Sequence, residues 1–337
     1  MAALLLAALF GARLDAAVET SGHAGSDALA GTADVEPSLT LRLPEIQLRY
    51  APRLLTNSDG ALTRQSAALS ARWTQDRLWT WSAAARFHEG RSEFAGWDSI
   101  ENILPLIRDE LFFDGNAGFT YTPARGWAID ASAGWFTYGG LSDASQQLIP
   151  LQRGPQFYAA VRQVVTRSDE VMYELYNSYT SATGDRHTSL LKLTAGWKHE
   201  LTPAARFSLS AGASDDGALR PVGSAELQYQ AARGLDLRLT SGVGPHYSLA
   251  TADLRDRAEI QAAARFSVDA LSLRARAAAA KEVDAGGALG ILGGEAGYRL
   301  SRNLSFSAGL ESIRQRGVPE SAWFAFAALT AGAQDIF

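Results

Sequence analysis

Five histidines, His23, His88, His187, His199 and His246, are the first residues whose chemistry needs placing, because no cysteine accompanies them in the 337-residue chain. None of the five has a second His, Asp or Glu at metal-ligand spacing, so no metal site is expected. Ser189 beside His187 is the nearest approach to a hydrolase pair and reads more simply as a loop edge. There is no phosphate-cradling Gly motif and no carboxylate pair of the glycosidase kind. Without cysteine there is also no disulfide frame, thiolate nucleophile or lipoprotein anchor. No catalytic residue and no cofactor are expected, and the chain does not read as an enzyme.

The remaining reactive groups are charges, and they alternate with apolar residues. Arg64, Ser66, Ser70 and Arg72 interleave with Gln65, Ala67, Leu69, Ala71 and Trp73, while Thr80, Ser82, Arg86 and His88 interleave with Trp79, Trp81, Ala83, Ala85 and Phe87. Strict period-two alternation broken by a tight turn at 74–77 predicts a β-hairpin. A second pair repeats it, over 111–121 and 127–135, joined by Thr122-Pro-Ala-Arg-Gly126. The rhythm continues with strands near 39–54, 156–167, 171–179, 188–199, 205–214, 223–230, 235–243, 256–266, 271–280, 290–300, 304–312 and 321–331. The total is about sixteen, in a range of about 16 to 18, each near the length of a tilted bilayer crossing. Short connections alternate with longer ones.

The apolar face carries no charge over the middle of each segment, which a sandwich with one face in water would not tolerate. Trp73, Trp79, Tyr121, Trp127 and Trp197 collect beside the short turns, where a membrane-interface girdle belongs. The fold class is therefore all-β: a transmembrane antiparallel up-and-down β-barrel in the outer membrane, in contact with its lipids. The absence of long apolar runs excludes a helical membrane protein and leaves a barrel open. A net charge of −5 removes the basic footprint of a nucleic-acid binder, so nucleic acid is not a partner.

Ala2–Phe10 is a short apolar run followed by small residues, so 1–17 reads as a secretory signal peptide. Residues 18–36, rich in Gly, Ser, Thr, Ala and acid, read as a flexible periplasmic linker, and 37–337 as the barrel. An even strand number then places both termini in the periplasm. Asp98-Ser-Ile-Glu101 is a weak capping pattern: the loop over 89–109 is either a short helix at the mouth or a loop packed on the rim. The stretch Ile103-Leu-Pro-Leu-Ile-Arg108 is echoed by Leu148-Ile-Pro-Leu-Gln-Arg153, as hairpin duplication would produce.

Alternation also assigns an inward face. Its basic members are Arg64, Arg72, Arg86, Arg162, Lys192, Arg206, Arg238, Arg257, Arg265, Arg274, Arg276 and Arg299, together with Arg49 and Lys198. About fourteen bases stand against about nine acids, among them Glu45, Asp114, Asp130, Glu174, Glu295 and Glu311. Such a wall either favours anions or consists of cross-strand ion pairs that select nothing. Phe112, Phe136, Tyr138, Tyr158 and Tyr176 also face inward, as a track along one wall or as an inner rim.

At Tyr50-Ala-Pro-Arg-Leu54, Pro150-Leu-Gln-Arg-Gly-Pro155, Trp197-Lys-His-Glu-Leu201 and the Trp323–Phe337 end, the sequence resembles Gram-negative outer-membrane barrels of the Wzp type, associated with exopolysaccharide secretion. The resemblance implies an exit channel for an exopolysaccharide or capsule polymer, served by a separate periplasmic export partner. It also implies a C-terminal aromatic, Phe337, read by the barrel-assembly machinery. Two other functions fit the composition: a passive anion-preferring porin for small solutes, and a closed structural barrel.

Overall fold

The computed structural model describes residues 13–25, 33–56, 62–92, 108–148, 150–184, 186–248, 253–283, 288–315 and 322–333. Within them the chain forms one antiparallel sheet of 18 strands that closes on itself. In chain order the strands are β1 (Arg13–Gly25), β2 (Ala33–Arg42), β3 (Ile46–Thr56), β4 (Leu62–Thr74), β5 (Trp79–Ser92), β6 (Arg108–Tyr121), β7 (Trp127–Gly140), β8 (Gln152–Val164) and β9 (Asp169–Ala182). They continue as β10 (Arg186–Thr202), β11 (Ala205–Asp215), β12 (Leu219–Ala232), β13 (Leu235–Ser248), β14 (Asp253–Val268), β15 (Leu271–Glu282), β16 (Ala288–Ser301), β17 (Leu304–Gln315) and β18 (Ala322–Ala333). A six-residue helix, α1 (Asp143–Leu148), lies between β7 and β8.

Each strand pairs with its sequence neighbours, and β1 pairs with both β18 and β2, so the barrel has no free edge. Closure satisfies the strand backbone internally, which a bilayer demands of any sheet that crosses it. The burial pattern is inverted relative to a water-soluble fold. Tyr173, Leu193, Leu292 and Leu310 leave 61%, 55%, 66% and 56% of their surface bare, whereas Arg276 and Glu311 are both 6% exposed. The register puts the four apolar residues on the outer face and the ion pair on the inner one. Lipid is the solvent that makes this arrangement stable.

Connections at one end are short: 43–45, 75–78, 122–126, 165–168, 203–204, 233–234, 269–270 and 302–303. Local chemistry sets them. The Asp76 Oδ1 accepts from the backbone N–H of Leu78 at 2.7 Å and of Trp79 at 2.9 Å. Gly126 and Gly234 adopt φ of +82° and +81°, the left-handed region that favours glycine. The longer connections lie at the opposite end. The start of β1 and the end of β18 both lie at the short-turn end, as an even strand number requires.

Three expectations change. The stretch expected as one strand over 39–54 is two strands, divided by the turn Leu43-Pro44-Glu45, where the Leu43 N–H donates to Ile46 O at 2.7 Å. Glu45 thus belongs to a turn rather than the inner wall. Residues 18–36, expected as a linker, carry most of β1 and the start of β2. Leu14, Ala16, Val18 and Thr20 alternate with Asp15, Ala17, Glu19 and Ser21, but the residues are so small and polar that composition masks the period. Residues Arg13–Ala17, expected within a signal peptide, are the first residues of β1. The run Ala2–Phe10, the Asp98–Glu101 capping pattern and Phe337 lie outside the described residues.

Candidate functional site

The inner wall is the candidate site. Register places Arg49, Arg64, Arg72, Arg86, Arg162, Lys192, Lys198, Arg206, Arg238, Arg257, Arg265, Arg274, Arg276 and Arg299 on the face opposite the apolar belt. It places Phe112, Phe136, Tyr138, Tyr158 and Tyr176 there too. What distinguishes these residues is their partners. Arg86 bonds Asp114 at 2.8 Å, Arg162 bonds Asp130 at 2.8 Å, Arg238 bonds Glu226 at 2.7 Å and Arg257 bonds Glu259 at 2.6 Å. Arg206 meets Glu200 at 3.1 Å, Arg274 meets Glu295 at 3.7 Å and Arg64 meets Glu36 at 3.0 Å. These pairs fix the wall and neutralise most of its positive charge.

The most enclosed pair is made possible by a missing side chain. Arg276 on β15 faces Gly293 on β16, which faces Glu311 on β17. With no Cβ between them, the Arg276 Nη2 reaches both Glu311 carboxylate oxygens, at 3.1 and 3.2 Å.

Arg72, Lys192, Lys198 and Arg265 differ, since among the described residues their side chains make no hydrogen bond or ion pair. Arg72, Lys198 and Arg265 lie close to the short-turn ends of β4, β10 and β14. Arg265 stands directly opposite Arg274, a like-charge cross-strand neighbour. Arg238, Arg265, Arg274 and Arg276, with Asp236, line a wall recess of about 470 Å³.

A second cluster sits toward the long-loop end. His88 Nε2 lies 2.9 Å from Glu110 Oε1, and the Tyr138 hydroxyl donates to Glu110 Oε2 at 3.1 Å. The His88 ring stacks on Phe112 at 5.0 Å, with Tyr138 edge-on at 6.4 Å and the Arg86 guanidinium 5.8 Å from the Phe112 centroid. Tyr158 and Tyr176 face each other across β8 and β9, and Tyr158 donates to Glu174 at 2.8 Å. Phe136 lies opposite Asp114 across β6 and β7.

Helix α1 packs on Gly140, an inward position at the end of β7, where a Cβ would collide with Ser145 and Gln146. Inward acids that the sequence reading omits include Glu19, Glu36, Glu110, Glu170 and Glu200. The first two lie in the stretch expected as linker, and Glu110 sits one residue before the expected strand, where extending the alternation would have found it. Among the described residues no cluster of His and carboxylates could hold a metal ion. His187 stacks against Tyr179, and His199 binds Asp169 at 2.8 Å.

Solved structures share this architecture. The chain aligns over 96% of its length with OccK3 (OpdO) of Pseudomonas aeruginosa, at a TM-score of 0.58, 12% identity and 96% coverage of that protein. It aligns equally far with OpdK of the same organism, determined with vanillate, at a TM-score of 0.57, 11% identity and 98% coverage. For OccAB4 of Acinetobacter baumannii the values are 0.59, 8% and 98% over the same 96% of this chain. The fold is that of an outer-membrane porin. These likenesses give no particular support to the Wzp-type resemblance. No protein-family description matches the chain. No curated protein matches it.

Proposed function

We propose that the chain is an outer-membrane porin that passes small anionic solutes, with both termini in the periplasm. The observation that carries this reading is the set of inward bases that no carboxylate neutralises among the described residues, Arg72, Lys192, Lys198, Arg265 and Arg299, in a barrel whose other inward bases are mostly held by carboxylates. Fixed positive charge lowers the barrier for anions and raises it for cations. Porin-type neighbours support the channel. Vanillate, the molecule accompanying OpdK, is a small carboxylate and matches the sign of the charge expected here. Export of a polysaccharide draws no comparable support.

The test is ion selectivity of the refolded protein in a planar bilayer under a salt gradient. The wild type should give steady conductance with a reversal potential on the anion side. Lys198→Glu with Arg265→Glu should reduce or invert that preference while conductance persists. A silent wild type, or one preferring cations, would overturn the reading.

A further inference from the structure

The rim carrying the short turns is basic in its turns as well as on the inner wall beside them. Five of these turns contain an arginine: Arg77, Arg125, Arg167, Arg233 and Arg302. All five are exposed, and among the described residues none makes a hydrogen bond or ion pair. The acids of the same turns are fewer, Glu45, Asp76 and Asp269, and Asp76 is occupied by two backbone N–H groups. A chain of net charge −5 therefore presents a positive ring at one end.

The ring lies beside the densest outer aromatic band. Trp73, Trp81, Trp79 and Tyr121 form a stacked run near Arg77, with centroids 6.4, 5.9 and 4.4 Å apart in succession. Trp127 follows Arg125 by two residues, and outward-facing Tyr298 precedes Arg302 by four. Aromatic side chains of this kind settle at the level of lipid headgroups. Arginines one turn beyond them stand at the phosphates, where the planar guanidinium can bind two oxygens at once.

From this juxtaposition we propose that the short-turn rim is a binding surface for anionic phospholipid headgroups in the leaflet it meets. The proposal rests on the barrel spanning a membrane and not on its conducting anions. The ring holds the short-turn end in register with that leaflet and enriches acidic lipid around it.

Full-length protein refolded into phosphatidylcholine vesicles, with spin-labelled phosphatidylglycerol or phosphatidylcholine as probe, gives the relative association of the two lipids directly. The wild type should prefer phosphatidylglycerol by about twofold or more, and about 0.5 M salt should abolish the preference. Replacing all five arginines by glutamine should bring the ratio to about one, whereas Arg153→Gln at the other end should leave it unchanged. Folding is checked by heat-modifiable gel mobility; if the fivefold variant does not fold, Arg125→Gln and Arg302→Gln singly should each lower the ratio. A wild type without preference, or variants that keep it, would overturn the proposal. Displacement of the labelled lipid by millimolar glycerol phosphate would overturn it in favour of a site for soluble phosphate compounds.

Discussion

Two arginines on adjacent strands of the same recess show how little residue type says about role. Arg276 is buried against Glu311 and its charge is spent on the wall, while Arg265 is exposed and, among the described residues, has no carboxylate partner. Removing one partner of a buried pair strands the other charge. Glu311→Ala should therefore cost about 3 kcal/mol, seen as a lower urea midpoint for tryptophan fluorescence of the refolded barrel. Gly293→Val should produce a smaller loss of the same sign, because its side chain would stand between the two charges. Arg265→Glu should move the same midpoint by less than about 1 kcal/mol and shift the reversal potential instead. A stability loss at Arg265 as large as that at Glu311 would show that both arginines serve the wall.

At the level of elements, α1 is too short to persist by itself. Its first turn is tied by Ser142, whose Oγ accepts from the Ser145 N–H at 3.2 Å, and its far side by Thr183, which donates to Gln146 Oε1 at 3.5 Å. What seats it on the inner face is the absence of a side chain at Gly140. Gly140→Val should lift the helix off the wall and raise single-channel conductance, and an unchanged conductance would mean that α1 does not narrow the mouth. Neither the helix nor its seat was legible in the sequence, since the capping pattern drew attention to 98–101 and a glycine at a strand end has several explanations. The strands from β4 onward were legible, because apolar residues every second position over Gln65–Trp73 or Leu111–Tyr121 fit no other element. Faces follow from the same period, but partners do not: Glu311 lies 35 positions from Arg276, and the link runs through an unremarkable glycine. Ion pairing across strands is a property of the closed sheet, so the neutral or free state of each arginine could not be read along the chain.

For the whole molecule the decisive element is the one whose composition concealed it. β1 joins β18 through rungs from Ala16–Ala333 to Gly25–Phe324, and joins β2 through rungs from Arg13–Arg42 to Gly22–Ala33. Without it β18 and β2 become free edges, each exposing a row of unpaired backbone groups to lipid, at several kcal/mol per group. A chain starting at Val18 would lose the Arg13–Arg42, Leu14–Leu41 and Ala16–Ala333 rungs, together with the Arg42–Asp15 ion pair at 3.0 Å, and would keep the rest of the strand. Chains beginning at Arg13, Val18 and Ala33 thus form a graded series. The first should refold to a heat-modifiable, urea-resistant barrel. The second should refold with a lower urea midpoint, and the third should fail to close and aggregate through its open edges. Because Arg13 already pairs with Arg42, any cleavage that yields the mature protein should fall before that residue, which N-terminal sequencing of material from outer membranes would read directly. A mature chain beginning after Ala17 and as stable as the Arg13 chain would show that the first rungs of β1 are dispensable and that closure depends on Val18–Gly25 alone.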